Sequence, residues 1–303
     1  MMNRRRVLQQ LGITAGLAVM GPTVMATCVT PLPEDKKRVL RIANITDIHM
    51  TPENAAPERF LKCMEDIKVH KVDFFLNGGD TIMAADYDDK TREQVNMQWD
   101  TWQRLRKSFD DYEMYACLGN HDMWWAAPSK EDPMYGKPFA QQQLGMPDRY
   151  YSFQRNGWHF IVLDSNNANA GSLDEEQRQW LENTLAEIPE NSSVLVMSHY
   201  PILGVSTIML GGNHTDGLYI TDLFYKHKDK RIHCISGHMH LLDKAVYNDV
   251  HYFCNGSMSG FWWGEGDENS AGKNYYYQTP PGYCIIDLYE GGEMVNTYYP
   301  HAY

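Results

Sequence analysis

A layered α/β domain with much parallel strand pairing is the fold class this sequence predicts, on three observations. Apolar runs of about four to eight residues, rich in Val, Ile and Phe, recur along the chain and read as buried strands. Amphipathic helical patterns lie between most of them, and strands alternating with helices make layered α/β architecture. Each run closes on polar or Gly-rich residues, with no internal repeat or low-complexity tract.

The first run, residues 39–45, ends at Thr46-Asp47-Ile48-His49, and the second, 72–76, at Asn77-Gly78-Gly79-Asp80. Residues 114–118 lead into Gly119-Asn120-His121-Asp122, and 159–163 into Asp164-Ser165-Asn166. Residues 194–197 lead into Ser198-His199, and 232–235 into Ser236-Gly237-His238-Met239-His240. Helices are expected at about 55–70, 91–109, 173–188 and 216–228. In the third, Ser172 with Glu175 reads as a capping box, and Leu173, Trp180, Leu181, Leu185 and Ile188 recur on one face. The last runs, about 246–253 and 283–289, have no helix between them and are expected to pair antiparallel at an edge. A single domain spanning 38–303 follows, with residues 29–37, rich in Pro and charge, as a linker.

Composition narrows the class. At 43% apolar and 12% aromatic the chain can build a packed core. Its 39 acidic residues against 27 Lys and Arg give a net charge of -12, which argues against a nucleic-acid-coating surface. A phosphate-bearing substrate stays compatible if bound cations invert the sign locally.

Residues 1–28 place Arg4, Arg5 and Arg6 before an uncharged, mostly apolar run, the build of an export signal. The unbroken apolar part, about 11–20, is shorter than the roughly 20 residues that span a bilayer, and Pro22 breaks a helix there. Arg4-Arg5-Arg6-Val7-Leu8 resembles a twin-arginine signal. Met25-Ala26-Thr27-Cys28 resembles a lipoprotein box, with Thr27 where Gly or Ala is usual. The expectation is export to the periplasm or cell envelope, with Cys28 as a lipid anchor; cleavage after Ala26, or an uncleaved anchor, is the alternative. Cys63, Cys117, Cys234, Cys254 and Cys284 sit in apolar patterns and are expected to be reduced core thiols.

In open α/β sheets, ligands bind beyond the carboxyl ends of strands. Five of those ends here carry Asp, Asn or His, ligand types for Zn, Mn and Fe. Two residues apart on an extended segment, side chains point the same way, so Asp47 with His49, and His238 with His240, can each aim at one spot. Glycine before Asp80, Asn120 and His238 is expected to let the backbone turn sharply there. His70, His159, His227, His233, His251 and His301 read as packed or surface residues, and Asp164 as a cap or loop anchor.

The five blocks Asp47-Ile48-His49, Gly79-Asp80, Gly119-Asn120-His121-Asp122, His199 and Gly237-His238-Met239-His240 stand in order over nearly two hundred residues. They resemble the calcineurin-like metallophosphoesterases. The resemblance implies a four-layer αββα sandwich of two mixed β-sheets. It implies one metal on Asp47, His49, Asp80 and His240, and another on Asp80, Asn120, His199 and His238, with Asp80 bridging and a hydroxide held between the ions. His121 matches the residue that stabilises the transition state or protonates the leaving oxygen, with Asp122 orienting its ring. Purple acid phosphatases carry Tyr three residues after the bridging Asp; here Met83 stands there and His49 is present, so Mn, Fe or Zn is expected rather than a purple ferric site.

Two aromatic segments, 123–151 and 257–282, flank the blocks and suit stacking on a base or sugar, or packing as lids. Trp124, Trp125, Trp262 and Trp263 are candidate substrate contacts, as is His214 in its Gly-rich loop. His199-Tyr200-Pro201 departs from the His-His-Pro of many cyclic-nucleotide phosphodiesterases of the superfamily. The expected function is metal-dependent hydrolysis of a small phosphoric ester, a diester in preference to a monoester. The alternatives are a monoesterase of the same fold and a catalytically silent metal-binding scaffold.

Overall fold

The structure, a computed structural model, describes residues 36–167, 171–260, Trp263 and 279–301. The expected export signal, Cys28, residues 29–35 and Trp262 lie outside these residues. Among the described residues no helix is long and apolar enough to cross a membrane.

The first half of the chain comprises β1 (Arg38–Ile45), α1 (Ala56–Lys68), β2 (Phe74–Asn77), α2 (Arg92–Arg106), β3 (Met114–Ala116), α3 (Gly136–Leu144), β4 (Tyr151–Arg155) and β5 (Trp158–Val162). The second half adds α4 (Glu175–Glu187), β6 (Ser193–Met197), α5 (Ser206–Leu210), α6 (Gly217–Lys226), β7 (Arg231–Ser236), β8 (Leu242–Tyr247), β9 (Val250–Asn255), β10 (Gly282–Tyr289) and β11 (Met294–Pro300). Two mixed sheets result, ordered β11-β10-β1-β2-β3 and β4-β5-β6-β7-β9-β8. The strands β1-β2-β3 run parallel, as do β5-β6-β7-β9, while β10, β11, β4 and β8 pair antiparallel.

Strand side chains alternate between faces, and here both faces are covered. On β1, Leu40 and Ile42 point between the sheets while Ala43 and Ile45 join Phe60, Trp99 and Trp102 under α1 and α2. On β6, Leu195 and Met197 enter the inter-sheet core while Val194 and Val196 meet Leu181, Leu185, Ile220 and Phe224 of α4 and α6. Three apolar layers between four layers of secondary structure make the expected αββα sandwich, and explain why these strands read as unbroken apolar runs.

Two expectations are corrected. The run at 283–289 does not pair with the one at 246–253, which falls on β8 and β9 of the other sheet; β10 lies inside the first sheet, between β1 and β11. Both of its faces are apolar, Cys284, Ile286 and Leu288 entering the inter-sheet core and Tyr283 and Ile285 the helix side. A strand buried on both faces belongs within a sheet. Helix α4 is capped by Asp174, which accepts from the Gln177 N–H at 2.9 Å, instead of by a box of Ser172 and Glu175. Ser172 belongs to an extended stretch bridged to Asn166. A capping box does form at the start of α2, between Thr91 and Gln94. The five described cysteines are free and buried, as expected.

Because Asp174 satisfies an otherwise orphan amide, Asp174→Ala is expected to destabilise the fold by about 1 kcal/mol. Urea unfolding should show the midpoint falling at unchanged slope.

Candidate metal centre

The loops after β1 and β2 are stitched together: Asp47 N–H donates to Gly79 O, and His49 N–H to Asp80 O, both at 2.9 Å. This brings two strand ends into one floor, with backbone unusual for these residue types. Asp47 (φ 52°), His49 (47°), Asp80 (52°), His238 (65°) and His240 (53°) all lie in the left-handed region. Such conformations cost on the order of 1–3 kcal/mol each and persist where the surroundings over-determine them.

The glycines serve close approach more than turning. A Cβ on Gly119 would lie 2.0 Å from Asp80 N and 2.1 Å from its Oδ1, and one on Gly237 would lie 2.1 Å from Asp47 Oδ2. Only Gly79 of the three has a positive φ, 92°.

All seven expected ligands converge. Asp47, His49 and His240 form one cluster, and Asp80, His199 and His238 a second. His240 Nε2 lies 3.1 Å from Asp47 Oδ1. The Asp80 Oδ2 oxygen faces both clusters, 3.2 Å from His199 Nε2 and 3.9 Å from His49 Nε2. Asn120 Oδ1 is 3.1 Å from His199 Nε2 and 3.0 Å from His238 Nδ1.

Neighbouring groups set the ligand atoms. The Nδ1–H of His199 donates to Gly78 O at 2.8 Å and that of His49 to Met83 O at 3.2 Å, so in each ring Nε2 is the nitrogen turned into the pocket. Asp47 accepts from the Thr46 hydroxyl at 2.6 Å and from His238 N–H at 3.0 Å. Burial pushes His49 and His238 down to about 3, keeping both neutral. Burial opposes ionisation of Asp80, but His199, His121 and His49 outweigh it and hold the carboxyl well below its usual range. Burial likewise opposes charge on His199, yet Asp80 and Asp47 raise it to about 9.

These donors fit metal ions. His49 Nε2 and His240 Nε2 stand 3.0 Å apart, both in the pocket. Two imidazole nitrogens, two carboxylates and an amide oxygen packed this closely form a donor set that fits a cation. Mixed imidazole and oxygen donors suit Mn, Fe or Zn.

Asp122 does not orient His121. It accepts from Gly119 N–H at 2.8 Å, Asp80 N–H at 3.0 Å and Thr81 N–H at 2.7 Å, buckling the turn at 119–122 onto the Asp80 loop. Residues 120–122 form one 3₁₀ turn, in which adjacent side chains diverge. The carboxylate on the His121 ring is Asp86, whose Oδ1 lies 2.5 Å from Nδ1. Burial disfavours charge on His121, but Asp86 and Asp80 leave its pKa raised. An acidic residue six positions beyond Asp80 was the only available signal.

The aromatic candidates divide. Trp124 is buried, its Nε1–H on Lys90 O at 3.0 Å, and Trp263 is buried with its Nε1–H on Ile48 O, so both are core residues. Trp125 is exposed, edge-on to Tyr135. His214 is also buried, bonded to Ser198 Oγ at 2.8 Å and Asp216 Oδ1 at 3.0 Å, and holds its loop in place of contacting solvent. Asp164 anchors Lys137 and Arg149. Two rings not among the expected substrate contacts sit at the centre: Tyr200 packs 3.9 Å from the His238 ring, and Tyr87 lies edge-on to His121 at 5.7 Å.

A four-layer sandwich carrying two histidine–carboxylate clusters that share Asp80, with a carboxylate-held histidine beside them, defines a metallophosphoesterase. Residues 40–242 match the family model of the calcineurin-like phosphoesterases, and the chain belongs to that family. It is 26% identical over 275 residues to a 3',5'-cyclic-nucleotide phosphodiesterase of Nostoc, covering 85% of this chain and 91% of that one. It is 27% identical over 183 residues to the 3',5'-cyclic adenosine monophosphate phosphodiesterase CpdA of Escherichia coli, covering 56% of this chain and 59% of the relative. Among solved structures, a dimetal phosphatase of Danio rerio superposes with a TM-score of 0.61 at 13% identity, covering 87% of this chain and 100% of that one. A purple acid phosphatase of yellow lupin gives 0.56 at 14%, covering 89% and 52%.

Two substitutions test the centre. Asp80→Asn is expected to reduce metal content at both clusters, because one oxygen faces both. Gly237→Ala, which pushes on Asp47, is expected to deplete one ion in preference to the other. Elemental analysis per mole of folded chain distinguishes the two outcomes.

Proposed function

We propose that the chain is a metal-dependent phosphodiesterase acting on small nucleotide- or sugar-containing diesters, with cyclic nucleotides the first class to test. The observation that carries the reading is the pair of clusters meeting at Asp80 Oδ2 beside the His121–Asp86 pair. The names of the two relatives at 26% and 27% identity support the cyclic-nucleotide class. When bound, two metal ions supply a lowered-pKa water and neutralise phosphoryl charge.

The chain's own residues do the rest. Asp47, His49, Asp80, Asn120, His199, His238 and His240 hold and space the ions. His121 keeps a proton on its outer nitrogen for the leaving oxygen, because Asp86 accepts the Nδ1 proton and stabilises the charged ring. No Lys or Arg lies within the five blocks to grip a terminal phosphate dianion, which favours a diester over a monoester. Tyr87, Tyr200 and Trp125 offer ring faces for the organic part of the substrate. The reading also makes the enzyme an exported one, addressed by residues 1–28 and held by lipid at Cys28, which fractionation of cells expressing wild type and Cys28→Ser checks.

After chelation and readdition of Mn, Zn or Fe, bis(p-nitrophenyl) phosphate and 3',5'-cyclic AMP are expected to be hydrolysed faster than p-nitrophenyl phosphate. Monoester preference, or no turnover with any ion, overturns the proposal. His121→Ala is expected to lower kcat by about 10²–10⁴. Asp86→Asn is expected to lower kcat about tenfold or more with KM little changed, as loss of an orienting partner does.

A further inference from the structure

Tyr200 follows the ligand His199 in the loop beyond β6, and its ring is committed on several sides. It lies against the imidazole of His238, ring centroids 3.9 Å apart, and edge-on to that of His199 at 5.5 Å. Gly171 closes another side, since a Cβ there would lie 3.2 Å from Tyr200 Cδ1. The Tyr200 N–H donates to Ser165 Oγ at 3.2 Å and pins the backbone. These contacts leave the residue only 6% exposed.

The hydroxyl is what they leave over. Among the described residues Tyr200 Oη has no hydrogen-bond partner, yet it is not one of the partnerless atoms sealed inside the fold. The small part of Tyr200 that solvent reaches therefore includes its hydroxyl. A buried ring normally satisfies its O–H. An open one matters when it faces a site.

Two carboxylates tell which way it faces. Burial raises the pKa of Tyr200, and Asp80 and Asp86 raise it further. Asp80 is the residue that faces both clusters, and Asp86 holds the His121 ring, so the hydroxyl stands toward the pocket these groups enclose. It keeps its proton through the neutral range and offers a donor without charge. Phosphoryl oxygens are acceptors only, and charge builds on them as an ester is attacked. A donor fixed by its packing costs little further ordering when a ligand arrives.

We propose that Tyr200 is a substrate-binding residue whose hydroxyl donates to a non-bridging oxygen of the phosphoryl group under attack. A neutral donor suits the single negative charge of a diester, where a dianion calls for a cationic side chain. The assignment rests on the phosphoester-hydrolase reading above and adds a phosphoryl contact to the ring contact given there.

Tyr200→Phe tests it, because the ring stays on His238 and the oxygen removed bonds nothing in the fold. Melting temperature and metal content per chain are expected to match wild type. In the metal-reconstituted protein, kcat/KM for bis(p-nitrophenyl) phosphate is expected to fall about ten- to a hundredfold, the size of a hydrogen bond to a charged oxygen. Inorganic phosphate, titrated calorimetrically into the same protein, is expected to bind about tenfold more weakly to the variant. If wild type turns over the diester while Tyr200→Phe matches it in both kcat/KM and phosphate affinity, the proposal is overturned and the function stands. Loss of metal from the variant also overturns it, by assigning the hydroxyl to the support of His238. A wild type that hydrolyses no ester overturns the function instead, and the phosphate titration then decides the Tyr200 contact.

Discussion

Seven ligand atoms crowd into one largely buried pocket, with two carboxylates and four imidazoles facing inward. His49 and His240 nitrogens at 3.0 Å, and one Asp80 oxygen within 4 Å of both the His49 and the His199 Nε2, make an arrangement that positive charge relaxes. Five of the seven ligands add left-handed backbone to that tension. The rest of the fold reads as what keeps such a pocket from opening: two sheets buried on both faces, a packed layer between them, and helices outside.

Restraint is distributed through small groups. The loops bearing Asp47 and Asp80 share backbone bonds, Asp122 gathers the Gly119 amide of its own turn with the Asp80 and Thr81 amides of the neighbouring loop, and Thr46 and His238 steady Asp47. Gly119 and Gly237 are required because a side-chain atom there would occupy the space of a carboxylate. The same economy governs His121, whose ring is aimed by Asp86 from a segment that also gives the Ala85 N–H to His121 O at 2.8 Å.

The α/β class and four helices were legible in the sequence because each rests on local periodicity, whereas the candidate ligands were picked out by the resemblance of five blocks to a family pattern. Asp47 and His49 do point into one pocket, but in left-handed backbone beyond the end of β1, held by the Gly79 and Asp80 carbonyls and not by strand alternation. What escaped depends on partners far away in the chain. Asp122 and Asp86 are equally acidic to a reader of sequence; only the turn at 120–122 and the contact between residues 85 and 121 decide which one meets the histidine. The inner place of β10 follows from what covers its two faces, and the run itself looks much like an edge strand. His214, Trp124 and Trp263 looked like surface equipment in aromatic or Gly-rich loops, yet each found a buried partner.

Only two of the seven ligands, Asp47 and Asp80, carry formal negative charge. Two divalent ions would bring +4 against their -2 and leave the pocket cationic inside a molecule of net charge -12. The polarity of the entrance is therefore borrowed. Stripped of its ions, the pocket loses that positive field together with the means to cleave, so occupancy governs attraction and chemistry together.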